Sequence, residues 1–122
     1  PAEQIRLMTY KGGCHCGRVA YEAEGDLGKV TACNCSICSK RATLLWFVPR
    51  ENFRLSTPES ALSTYSFNKH HIQHKFCPAC GVAPFAFATN REGQPMAAIN
   101  ARTLEGVDPG ALEVVHFDGR SL

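Results

Sequence analysis

Seven cysteines are the residues of this chain best able to do chemistry, and they fall into three groups. Cys14-His15-Cys16-Gly17 is a C-x-C-G. Cys33-Asn34-Cys35-Ser36-Ile37-Cys38 is a C-x-C-x-x-C. Cys77-Pro78-Ala79-Cys80-Gly81 is a C-x-x-C-G. Thiolates at these spacings converge on one metal ion when the chain between them turns tightly. Pro78 pre-sets φ for such a turn, and Gly81 and Gly17 allow the positive φ that often follows. A structural zinc takes four ligands in a tetrahedron. The two pairs Cys14, Cys16, Cys77 and Cys80 supply them. A link between residues so far apart removes much chain entropy from the unfolded state.

Four from seven leaves Cys33, Cys35 and Cys38. Three thiolates within six residues can grip one face of a second zinc and leave its fourth position free, the pattern of catalytic zinc. A histidine would close the site instead, and His15, His70, His71 and His74 are candidates. Two zinc ions per chain are expected, the second site being the one that three ligands hold less firmly and that is sometimes partly empty.

The rest of the composition bounds the reading. A length of 122 residues suits a single domain, 1–122. With 13 basic against 11 acidic residues and a formal charge of +2, the chain is neither a polybasic nucleic-acid binder nor an acidic disordered segment. The longest apolar run, Leu44-Leu45-Trp46-Phe47-Val48, is far short of the ~20 residues of a membrane span. Pro1-Ala2-Glu3-Gln4 lacks the basic and apolar regions of a signal peptide. A cytoplasmic protein is expected, with no membrane or nucleic-acid partner. An odd number of cysteines cannot all pair within one chain, and a reducing cytosol disfavours disulfides.

The elements that position these groups read as short strands. Turn signals recur at Gly12-Gly13, Gly25-Asp26, Thr57-Pro58, Glu92-Gly93 and Asp108-Pro109-Gly110. Between them lie segments with period-2 character. Val19, Tyr21 and Ala23 alternate with charged residues. Ile72, His74 and Phe76 alternate with His71, Gln73 and Lys75. Phe85 and Phe87 alternate with alanines. Leu44–Val48 reads as a strand buried on both faces, and Trp46, Phe47, Phe85 and Phe87 as core. Helix is scarce: two turns over Cys35–Ala42 and one near Ser60–Ser63. The expected class is mainly β, small stacked antiparallel sheets with little helix. An exposed hydrophobic edge strand would support a homodimer.

Several stretches resemble the glutathione-dependent formaldehyde-activating (GFA) family, which includes the centromere protein V group. They are Gly13-Cys14-His15-Cys16-Gly17 leading into Val19-Ala20-Tyr21, the Cys33–Cys38 segment, and His74-Lys75-Phe76-Cys77-Pro78-Ala79-Cys80-Gly81-Val82. The tail Ile99–Asp108 and His116-Phe117-Asp118-Gly119 looks like the end of the same domain. The likeness spans about 10–119. It implies a stack of small β-sheets with zinc knuckles (a β-tent-like fold), a structural four-cysteine zinc and a second three-cysteine zinc. Thr103 departs from the pattern, because many relatives carry a cysteine there.

The family's namesake reaction adds glutathione to formaldehyde, giving S-hydroxymethylglutathione. Its reverse breaks a carbon–sulfur bond, so the expected activity is that of a zinc-dependent carbon–sulfur lyase, with Cys33, Cys35 and Cys38 holding the reactive metal. The expected partners are glutathione, or a similar small thiol, and an aldehyde. Lys40 and Arg41, just past the ligand loop, are placed to pair with the carboxylates of glutathione, or else are solvated charges at a helix end. Asn100 and Arg102 either approach the site or anchor a turn. The alternative function is a non-catalytic, zinc-stabilised binding module of unknown ligand.

Overall fold

The computed structural model describes residues 8–67 and 71–121. His70 and the N-terminal segment Pro1–Gln4 lie outside them. Ten strands run in chain order: β1 Met8–Gly13, β2 Ala20–Gly25, β3 Lys29–Cys33, β4 Leu45–Pro49, β5 Phe53–Leu55, β6 Ser63–Tyr65, β7 Gln73–Phe76, β8 Phe85–Thr89, β9 Pro95–Asn100 and β10 Glu113–Phe117. The α-helix among the described residues, α1, is Ser36–Arg41. A 3₁₀ turn at Glu59–Ala61 answers to the short helical signal near Ser60. No helix among the described residues is long and apolar enough to cross a membrane.

The strands form two sheets, as the short period-2 segments predict. One has the order β1-β2-β5, the other β10-β3-β4-β9-β8-β7-β6. Neighbours are antiparallel except β10, which pairs with β3 in parallel. One core draws from both sheets: Tyr21 and Ala23 of β2, Phe53 of β5, and Trp46, Phe85 and Ile99 of the larger sheet. Tyr21 stacks on Phe53 at 5.3 Å and meets Phe85 edge-on at 5.9 Å.

The register of the larger sheet separates its two faces. Trp46 lies opposite Ile99, Ile99 opposite Phe85, and Phe85 opposite Lys75. This row faces the core. The next row runs Phe47, Ala98, Ala86, His74 and faces the other way, because successive strand side chains alternate. Two expectations are corrected here. β4 is not buried on both faces, and Phe47 is not core: Trp46 and Val48 point inward while Phe47 is 47% exposed. In β7 the core-facing residue is Lys75, buried at 7% exposure, whereas Ile72, His74 and Phe76 take the opposite face. Lys75 is accommodated because its Nζ donates to Thr64 Oγ1 at 2.8 Å and to Glu59 at 3.5 Å. The β10 edge carries exposed Val114, Val115 and Phe117.

Candidate functional site

The two cysteine pairs come together as their spacing predicts. Cys14 follows β1, and its amide donates to Val19 O at 3.0 Å, closing a turn that holds Gly17 at φ 88. Cys77 follows β7. Its amide donates to Val82 O and its carbonyl accepts from Gly81, which sits at φ 82. Cys16 Sγ is 3.6 Å from both Cys14 Sγ and Cys77 Sγ, and the four sulfurs lie within 4.8 Å of one another. Tetrahedral metal–thiolate bonds of ~2.3 Å place sulfurs about 3.8 Å apart, so the donor set fits such an ion.

Amide donors ring these thiols. Val82, aided by the Cys16 and His15 amides, lowers Cys80 to about 6. Burial raises Cys14, but amides of Val19 and Gly17 and the neighbouring thiols bring it below the usual thiol value. The Arg18 amide pulls Cys16 down, yet desolvation and the shared thiols Cys77, Cys14 and Cys80 hold it up at about 11. Amide hydrogen bonds to sulfur stabilise the deprotonated form that a metal requires.

Cys33 ends β3, Cys35 is the N-cap of α1, and Cys38 lies within the helix. Their sulfurs also fall within 4.8 Å of one another. This cluster gathers no histidine among the described residues. Burial raises Cys38, together with its neighbours Cys35 and Cys33, to about 12. Burial also raises Cys33, whereas amide donors at Cys38 and Ile37 bring Cys35 below its usual value despite burial. The C-terminal segment clamps this loop. Asn34 Nδ2 donates to Asp118 Oδ1 at 3.0 Å, the Arg120 amide donates to Asn34 Oδ1 at 2.8 Å, and the Asn34 amide donates to Phe117 O at 3.2 Å. Hydrogen bonds from Ser121 and Asn34 hold the Asp118 carboxyl below its ordinary range.

Beside the three thiols the outer face of the larger sheet forms a cleft of about 370 Å³. Cys33, Cys35 and Cys38 line it, with Phe47, Ala98 and His74 among the other walls. His74 stacks on Phe67 at 5.6 Å, and its Nε2 is buried with no hydrogen-bond partner. Burial lowers its basicity, and Arg41 lowers it further. Thr43 also lines the cleft. Its hydroxyl lies close enough to ease the ionisation of Cys38, but has no partner at hydrogen-bond geometry.

The remaining candidates separate. Arg41 lines both the cleft and an adjoining groove, and Lys40 lines only the groove, with Ser36, Tyr65 and Phe76. Asn100 borders the cleft, while its side chain accepts from the Arg102 amide and donates to Ala83 O. Arg102 Nε donates to Ala42 O at 3.1 Å, bracing the end of α1. Thr103 donates to Asn100 O and meets the Tyr21 hydroxyl at 2.7 Å. His15 and His71 are exposed. Thr43 had no motif to mark it, and Phe117 lay in the family-like tail without a site role assigned to it. Phe117 reaches the cleft only through the parallel pairing of β10 with Cys33.

Comparison with known proteins agrees with this arrangement. Residues 9–116 match the family described as glutathione-dependent formaldehyde-activating enzyme. A Rhodobacter sphaeroides protein of known crystal structure, a structural-genomics target, is similar at TM-score 0.74 and 28% identity, over 86% of this chain and 99% of that one.

Proposed function

The chain belongs to the glutathione-dependent formaldehyde-activating enzyme family, and on that premise we propose that it is a zinc-dependent carbon–sulfur lyase acting on adducts of glutathione with aldehydes, such as S-hydroxymethylglutathione. The observation that carries this reading is that Cys33, Cys35 and Cys38 wall a cleft large enough for a ligand to reach their sulfurs. Cys14, Cys16, Cys77 and Cys80 would hold a structural zinc, and Cys33, Cys35 and Cys38 a second one. Zinc at the second site would supply a Lewis acid that favours ionisation of a nearby thiol near neutral pH.

The chain's own residues do the rest. Lys40 and Arg41 line the groove next to the cleft and would receive the glutathione carboxylates. Ile37 and Phe67, shared by groove and cleft, exclude water from the reacting carbon. His74 and Thr43 line the cleft, and once their buried, unpartnered polar atoms rotate toward it they would hold the hydroxyl of the adduct or pass its proton. A cytoplasmic location belongs to this reading, since a reducing compartment keeps the seven thiols available.

The test is formation of S-hydroxymethylglutathione from formaldehyde and glutathione, followed by exchange NMR. The protein should exceed the uncatalysed rate, and Cys35→Ser should return it to that rate. Equal rates with and without protein overturn the enzymatic reading and favour a zinc-stabilised binding module.

A further inference from the structure

The cleft beside Cys33, Cys35 and Cys38 is larger than a one-carbon aldehyde needs. Its volume of about 370 Å³ falls among pockets that enclose drug-sized ligands, about 300–1,000 Å³. A molecule with two heavy atoms needs a space closer to that of one water, about 30 Å³. The room comes from sequence and register together. Ala98 and Ala86 lie side by side between Phe47 and His74, so two small residues floor the cleft between larger walls.

Its chemistry is also wrong for a charged peptide. Among the described residues Arg41 is the one Lys, Arg, Asp or Glu side chain lining it, and the rest is mostly hydrocarbon. Glutathione carries two carboxylates and an ammonium, which against such walls would lose their hydration without compensation. Those charges suit the adjoining groove, where Lys40 and Arg41 both lie. Groove and cleft share Ile37, Arg41 and Phe67, so one ligand can span them.

Two further observations point to what enters the cleft. Phe47, Ile72 and Phe117 are 47%, 42% and 44% exposed, and all three line it. Large apolar side chains gathered at one opening mark a surface that an apolar ligand covers. Among its walls, Thr43 and His74 carry polar atoms buried without partners, a rare condition that a ligand hydroxyl would relieve once either side chain rotates toward the cleft.

We propose that the cleft takes the substituent of a bulky apolar aldehyde, aromatic or medium-chain aliphatic, as its thiol adduct, with Thr43 and His74 on the adduct hydroxyl. The inference rests on the carbon–sulfur lyase reading. In the forward direction thiol sulfur bonds to the carbonyl carbon, the C=O π pair moves to oxygen, and that oxygen takes up the proton the thiol gave up. No oxidant or reductant takes part.

The test is equilibrium binding of unreactive thioethers to the zinc-loaded protein by calorimetry. Two pairs are compared: S-hexylglutathione with S-methylglutathione, and 2-(hexylthio)ethanol with 2-(methylthio)ethanol. Each buried methylene tightens binding roughly fourfold, so even half-burial of the longer chain predicts an advantage of at least about thirtyfold. Phe47→Ser, at an exposed rim position, should reduce that advantage severalfold, and Ala88→Phe, which narrows the cleft, should nearly abolish it. A hexyl advantage in both pairs supports the apolar cleft and the glutathione groove together. An advantage in the thioethanol pair alone supports the cleft and removes glutathione as the thiol. No advantage in either pair, or one that both variants leave intact, overturns the inference even if formaldehyde turnover is observed.

Discussion

The side chain of Asn34 donates to the carboxylate of Asp118 at 3.0 Å, across 84 residues of sequence. Asn34 sits between two of the three clustered cysteines, so this bond ties the cysteine loop to the last strand and its following turn. Gly119 completes the contact: a Cβ there would lie 2.6 Å from Cys33 Sγ and 3.2 Å from Cys35 Cβ.

Gly119→Ala therefore forces Cys33 out of position. The expected outcome is a zinc content that falls from two per chain toward one, with the Cys14/Cys16/Cys77/Cys80 site retained. Metal analysis after gel filtration measures it. Two firmly held zinc ions in the variant would show that the close approach does not position Cys33.

The four-cysteine site joins the β1–β2 hairpin to the turn after β7, with Cys16 and Cys77 61 residues apart. Structural zinc in small domains contributes an apparent ~10–16 kcal/mol. Even a third of that, at roughly 4 °C per kcal/mol, means that chelation or Cys80→Ser lowers Tm by more than about 10 °C. Cys35→Ser should lower it by much less, because its three cysteines lie within one local segment. Scanning calorimetry of the two variants separates the sites.

The Tyr21 hydroxyl is buried and meets Thr103 Oγ1 at 2.7 Å. Tyr21→Phe should cost about 0.5–1.5 kcal/mol at neutral pH. Burial, against the easing effect of Thr103, raises the phenol above its ordinary value of 10.0. A raised value in the folded state means that this contribution is full below about pH 10 and is lost as pH rises through the folded value. The stability gap between wild type and Tyr21→Phe should thus narrow between pH 8 and pH 11 in urea unfolding. A gap that widens would reverse the assignment.

Ala42 ends α1 at φ 56, ψ 36, the left-handed region. That conformation costs an L-residue roughly 1–2 kcal/mol, while glycine pays about 0.5–1 kcal/mol in unfolded-state entropy. Ala42→Gly should stabilise the protein by about 0.5–1 kcal/mol and raise Tm by a few degrees. An unchanged or lower Tm would show that the left-handed conformation at Ala42 costs no more than the unfolded-state entropy glycine adds.

Both cysteine clusters were legible in the sequence because a donor set able to hold a metal is written in short spacings. C-x-C and C-x-x-C set by Gly and Pro turns need no knowledge of distant contacts, and Gly17 and Gly81 adopt the positive φ those turns require. The short-strand architecture was legible for a similar reason, since turn residues and period-2 alternation are local. The faces were not. In β4 and β7 both alternating sets contain residues that can be buried, so periodicity identifies two faces without saying which meets the core. Phe47 goes outward and Lys75 inward because the register of β8 and β9 decides it.

What the sequence by itself determined is the four-plus-three division of the cysteines and the mainly β class, since nearby residues specify both. The tertiary structure alone decided what surrounds the three-cysteine cluster. Phe47, Ala98, Ala86 and His74 become neighbours only through three strand pairings, and Phe117 arrives only through a parallel pairing with Cys33. A cleft is a space between segments, and no single segment encodes the space it leaves.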